Sequence, residues 1–133
     1  NAGFINAITV LHSGTGSSHV TGTFTRAGIS IAESRGNAFI KYMMLIICFM
    51  FGSTLSSVLV PYQTFYLGRA YNRVFIIGTL FLTIAAILGI LLPENPAYAF
   101  FVTIACGMQN AMTTGYSGSV LRTTHMTGLT TDV

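Results

Sequence analysis

Two stretches decide what this chain can become. Residues 43–60 (MMLIICFMFGSTLSSVLV) and 74–92 (VFIIGTLFLTIAAILGILL) run for eighteen and nineteen residues, and neither contains a charge. As helices rising 1.5 Å per residue they extend roughly 27 and 29 Å, about the thickness of a bilayer's hydrocarbon core. Lys41–Tyr42 and Pro61–Tyr62 bound the first run, Arg73 and Pro93–Glu94 the second. Tyr42 and Tyr62 stand where interfacial aromatic residues belong. The competing reading, two buried helices of a water-soluble fold, fails on coverage. Only 7% of the chain is charged and 52% is hydrophobic, with a mean hydropathy of +0.68. A soluble domain carries about a quarter of its residues as charges.

The rest of the chain fits the same class. Residues 97–113 (AYAFFVTIACGMQNAMT) read as a third span that turns polar at Gln109 and Asn110. The opening AGFINAITVL resembles the end of a comparable helix, giving a span at about 1–12. Between them, 20–34 places Val20, Phe24, Ala27 and Ile31 at helical spacing, with Thr25, Arg26, Ser30 and Glu33 elsewhere on the wheel. At roughly 21 Å this helix is too short for a lipid-facing span, which predicts a half-helix or an interfacial helix. RGN at 35–37 is expected to break it from the next helix. Gly52 with Ser56 and Ala85 with Gly89, each four apart, predict close helix packing.

Charge and cysteine usage exclude several classes. The net charge of +3 rests on six scattered Lys and Arg residues. With no basic stripe, nucleic acid is not an expected partner. Cys48 and Cys106 sit in apolar runs without CxxC spacing or a nearby His, and read as small buried hydrophobes. Arg69 and Arg73 flank the loop between the two clear spans, and positive-inside bias puts that loop in the cytoplasm.

The chain also repeats itself. In residues 2–25 (AGFINAITVLHSGTGSSHVTGTFT) and 106–131 (CGMQNAMTTGYSGSVLRTTHMTGLTT), Gly3, Asn6, Ala7, Thr9, Ser13 and Gly14 match Gly107, Asn110, Ala111, Thr113, Ser117 and Gly118. After a two-residue insertion, His19, Thr21, Gly22 and Thr25 match His125, Thr127, Gly128 and Thr131. An ordered G-x-x-N-A … S-G … H-x-T-G-x-x-T is too specific for coincidence between Gly/Thr-rich stretches and predicts a duplication. Residues 1–93 are then a first repeat, with spans at about 1–12, 43–60 and 74–92 and the short helix at about 20–34. Residues 97–133 begin the second.

GFINAI … SHVTGTFTR followed by GMQNAMTT-x-YSG-x-V-x-RTTHMTGLTTD resembles the YoaK/DUF1275 family of bacterial integral membrane proteins. The resemblance covers essentially the whole chain. It implies a multi-pass protein of a bacterial inner membrane or equivalent. Family members are longer, so an internal fragment is expected. The family pattern implies a basic residue where Gly115 stands here, so no cation is expected to act at that position.

His125 lacks the companions of a metal site, and an His-x-Thr-Gly break reads better as a polar turn satisfying freed backbone groups. GYSG at 115–118 would need a base within reach of Ser117 to be a hydrolase. Its counterpart Ser13 shows the serine to be part of a duplicated motif, so a Gly-rich loop explains it equally well. The expectation is therefore no enzyme, no catalytic residue, no cofactor and no metal, with an intramembrane hydrolase the distant third reading. Arg26, Arg122 and Asp132 either face a cavity, pairing as Arg122 with Asp132 and Arg26 with Glu33, or snorkel to the interface.

The fold class expected is all-α: a polytopic transmembrane bundle with an internal repeat, inverted if the short helix does not cross, and broken helices at the H-x-T-G motifs. Transporters combine inverted repeats with broken helices whose breaks hold substrate near the midplane. On that analogy the chain is a small-molecule permease with Asn6, His19, Thr21, Thr25, Arg26, Asn110, Arg122, His125, Thr127 and Asp132 along the pathway. Gly3, Gly22, Gly107 and Gly128 are expected to be structural, permitting close approach or a positive φ. The rival class is a non-transporting subunit of a membrane complex, or an oligomer, in which the same polar residues stitch helices together. The lipid bilayer is a partner in both. Asn6 and Asn110 are expected to meet across a shared interior.

Overall fold

The computed structural model describes residues 7–11, 16, 18–60, 69–93 and 95–116. Those residues are helical or in turns, with no strand among them. After a helical stretch at 7–11 come α1 (Val20–Ala32), α2 (Gly36–Leu59), α3 (Arg69–Leu91) and α4 (Ala97–Tyr116). The long helices begin earlier than the charge-free runs, at 36 and 69 rather than 43 and 74, because Lys41 and Arg73 are helical too. A single cation near a helix end does not interrupt backbone hydrogen bonding. Gly36–Leu59 and Tyr71–Leu91 are long and apolar enough to cross a membrane.

α4 is the centre. It packs most heavily on α2, then on α3, while α2 and α3 scarcely touch. Val102, Thr103, Ala105, Cys106, Gly107 and Met108 are all buried. Both cysteines are free, and Cys106 packs with Ala85 and Val102 as a small hydrophobe, flanked by Phe49, Tyr98 and Phe101. Gln109 and Asn110 do not end the helix, which runs on through Gly115 and Tyr116. The loop expected at GYSG therefore starts no earlier than residue 117, outside the described residues.

The α2–α4 seam is set by two glycines. A Cβ on Gly52 would lie 2.1 Å from the carbonyl oxygen of Ile104, and one on Gly107 2.2 Å from that of Phe49. Both distances are impossible for any other residue unless the backbones move apart. Ser53 Oγ donates to the Gly107 carbonyl at 3.1 Å across this contact. The Gly52/Ser56 pair thus lies at a close helix contact, as its spacing predicts, and Gly107 lies in the same seam. Gly22 differs: a Cβ there would meet only His19 Cβ, at an ordinary 3.8 Å. The tight approach expected at Gly22 is found at Gly52 instead. Gly3 and Gly128 lie outside the described residues.

Two turns position the rest. α1 ends in a Schellman motif: Arg35 N donates to Ser30 O at 2.8 Å and Ser34 N to Ile31 O at 2.9 Å, with Ser34 at φ 55. The break is therefore made at Ser34, not at RGN, whose Gly36 and Asn37 already belong to α2. A left-handed serine carries a strain of about 1–2 kcal/mol, which glycine lacks, offset in part by glycine's larger unfolded entropy. Ser34→Gly should consequently raise stability by up to about 1 kcal/mol. Thermal melting of purified protein checks this, and a lower midpoint would contradict the assigned conformation. At the other turn Pro93 follows α3, and Asn95 Oδ1 accepts from Ala97 N at 2.9 Å at the start of α4, with Pro96 immediately before the helix. The short connection makes α3 and α4 an antiparallel hairpin.

Candidate functional site

α1 runs back along α2 for half of α2's length. The Schellman turn fixes one end near the start of α2. At the other end, Val20 and Thr23 share a void of about 10 Å³ with Leu45, Ile46 and Phe49 of α2, Thr103 of α4, and Gly16. The N-terminus of α1 thus lies beside the middle of α2 and against α4. The N-cap of α1 is His19, whose side chain makes no capping hydrogen bond. The first-turn N–H groups therefore give this end of the helix its partial positive charge.

The buried stripe of α1 is Thr23, Ala27 and Ser30, at 6%, 3% and 1% exposure. Phe24 and Ile31, expected on the apolar inner face, are 52% and 61% exposed. The helix sits on α2 with small residues inward and large apolar residues outward. Water would impose the opposite order. In lipid, where helices gain nothing by hiding apolar surface from one another, small residues allow the closest packing.

Several hydroxyls of α1 and α4 are satisfied within their own helices. Thr23 Oγ1 donates to His19 O at 3.0 Å, Thr25 to Thr21 O at 3.1 Å, Ser30 to Ala27 O at 2.7 Å and Thr103 to Ala99 O at 2.7 Å. Thr113 and Thr114 donate to Gln109 O and Asn110 O, both at 2.8 Å. This is how Ser and Thr settle in a helix without needing water.

His19, Thr21, Gly22, Thr25 and Arg26 are all exposed, and together they form the outward polar flank of α1. Glu33 pairs with Arg35, not with Arg26. Asn110 is half-buried on α4. Asn6, Arg122, His125, Thr127 and Asp132 lie outside the described residues, as does the expected Asn6–Asn110 contact.

A family model described as "Protein of unknown function (DUF1275)" matches residues 1–133. The chain belongs to the DUF1275 family. No curated protein and no solved structure matches it. The DUF1275 assignment covers the motif-bearing segments as well as the apolar spans.

Sequence reasoning missed Thr103 and Ser18, both buried near the start of α1. Thr103 could have been noticed as the one threonine in the apolar opening of α4 (AYAFFVTIACG). Ser18 gave no signal beyond its place in the polar break. A second, larger cavity of about 340 Å³ lies between α3 and α4, and none of the described pathway residues (His19, Thr21, Thr25, Arg26 and Asn110) lines it.

Proposed function

We propose that this DUF1275 protein is a multi-pass integral membrane protein of a bacterial inner membrane or equivalent, and that it carries small molecules across it. α2 and α3 cross the bilayer with α4 between them, and α1 is a half-helix ending at mid-depth. The observation carrying the transport reading is the position of α1's N-terminus beside the middle of α2, with Thr103 of α4 at the same void. A helix that stops inside a membrane leaves first-turn N–H groups and a positive dipole end where lipid cannot satisfy them. Transporters use such ends to hold anionic groups. His19, Thr21 and Arg26 line the open side of this end.

A non-transporting role has its own support, since most of the hydroxyls on α1 and α4 bond within their own helices. Purified full chain in liposomes separates the two. Acetate, phosphate, choline and glycerol are added in turn while melting is followed. A solute at a hundred times its Kd stabilises by about 2.7 kcal/mol. Stabilisation by an anion, reduced in the His19→Ala/Thr21→Val variant, is expected. If none of the four shifts the midpoint, or the variant responds identically, the half-helix is not a solute site and the structural role stands.

A further inference from the structure

The 340 Å³ cavity is hollowed out by small residues on α3. Ala85, Ala86 and Gly89 form one wall, with Tyr98 and Val102 of α4 opposite. A Cβ on Gly89 would meet the Tyr98 ring at an ordinary 3.9 Å, so no close backbone approach demands glycine at this position. Pro93 closes the end at the α3–α4 turn, and Ile8 closes the side from the helical stretch at 7–11. The volume falls at the lower end of ligand pockets, roughly 300–1,000 Å³, and is over twice that of an apolar cavity known to stay dry and admit benzene, about 150 Å³.

The chemistry of the walls selects the ligand. Among the described residues no charged side chain lines the cavity, and the hydroxyls of Thr9 and Tyr98 are the only side-chain polar groups there. Water would find few partners there, and a polar solute would lose its hydration without replacement. Ile90 decides where the ligand comes from. It lines the cavity yet is 80% exposed, on the same helix as outward-facing Ile76, Leu80 and Ile87. The cavity is thus continuous with the outer apolar surface of a helix proposed to face lipid.

We infer that this cavity is an acyl-chain site, holding one hydrocarbon tail of a bilayer lipid with its headgroup toward the Pro93 turn. The inference rests on the membrane reading, but not on transport. It explains why α3 carries three small residues here, where bulkier ones would pack the hairpin solid.

The test combines native mass spectrometry with fluorescence on the full chain, extracted from phosphatidylcholine vesicles into mild detergent. Wild type should retain one phosphatidylcholine. Ala86→Phe and Gly89→Leu fill the cavity, and each methylene of tail displaced should weaken retention roughly fourfold, so bound lipid should fall about tenfold or more in both. Melting confirms that at least one of the two is folded. Wild type without bound lipid, or an adduct unchanged in a folded variant, would overturn the site. Adding palmitate separates a lipid tail from a free fatty acid: exchange of the phosphatidylcholine for palmitate at equal concentration would give the site to the free acid and overturn the lipid assignment. The chain has no Trp, so a single Phe75→Trp on the outer face of α3 reports membrane insertion by itself. If brominated-chain lipids quench it while wild type binds no lipid, the cavity proposal fails and the membrane reading survives. If they do not quench it, the membrane reading fails.

Discussion

Gly107→Ala should destabilise the protein by about 3 kcal/mol or more, and Gly52→Ala by a similar amount. A single methyl is enough because the atoms it would strike are the carbonyl oxygens of Phe49 and Ile104, at 2.2 and 2.1 Å. A backbone atom cannot rotate aside as a side chain can, so the two helices must separate along the whole seam. The Ser53 Oγ to Gly107 O hydrogen bond, 3.1 Å at present, would lengthen or break as they part. Against a total stability of about 5–15 kcal/mol, either loss is large. Gly52→Ala with Gly107→Ala should cost less than the sum of the two, because a seam already opened by one methyl accommodates the second. Two controls fix the interpretation. Gly28, with nothing within 4 Å of its would-be Cβ, should gain up to about 1 kcal/mol on conversion to Ala through helix propensity. Ser56 is 1% exposed and its hydroxyl has no hydrogen-bond partner among the described residues, so it serves by size and Ser56→Ala should lose nothing. Thermal midpoints in detergent measure all five variants. A Gly107→Ala midpoint equal to that of Gly28→Ala would mean the helices do not cross at this point.

Ile47→Arg should cost about 2.5–3.5 kcal/mol and sharply reduce the amount of protein recovered from membranes. Ile47 is near the middle of α2 and 54% exposed. On a water-facing surface such a change is worth within about 0.5 kcal/mol, since the arginine would simply be solvated. At the centre of a bilayer the guanidinium must either drag in water or pull its helix toward the interface. The same substitution therefore gives opposite outcomes in the two environments. Wild-type yield and an unchanged midpoint would exclude Ile47 from lipid, and with it the transmembrane assignment of α2.

Both experiments bear on the same principle, an inside-out order of side chains. Large apolar residues such as Ile40, Met50, Phe51, Ile76 and Ile87 point outward from the bundle. Glycine, alanine, serine and threonine occupy much of the contact surface between helices. Leu45, Ile46, Tyr71, Val74, Val102 and Met108 are bulkier exceptions among the buried residues.

The sequence by itself determined the local structure. Uninterrupted apolar length made α2 and α3 helices, the PENP stretch placed the turn before α4, and helical spacing marked α1 as a short helix. Gly52, Gly107 and Ala85 were legible as packing positions because small residues in a long apolar helix have little other use. The motif resemblance identified the family.

Which face of each helix turns inward was decided only by the tertiary structure. For α1 the apolar period pointed to Val20, Phe24, Ala27 and Ile31, yet Thr23, Ala27 and Ser30 are the residues buried. Hydrophobic periodicity finds the inner face only when water lies outside; when the surroundings are apolar too, size and hydrogen bonding choose it. The pairing of Gly52 with Ile104 and of Gly107 with Phe49 was equally invisible, because it joins helices more than fifty residues apart. No local pattern records which ridge a groove will meet. The end of α1 reached Thr103 for the same reason: its position depends on the angle of the Ser34 turn and on the α2–α4 crossing together.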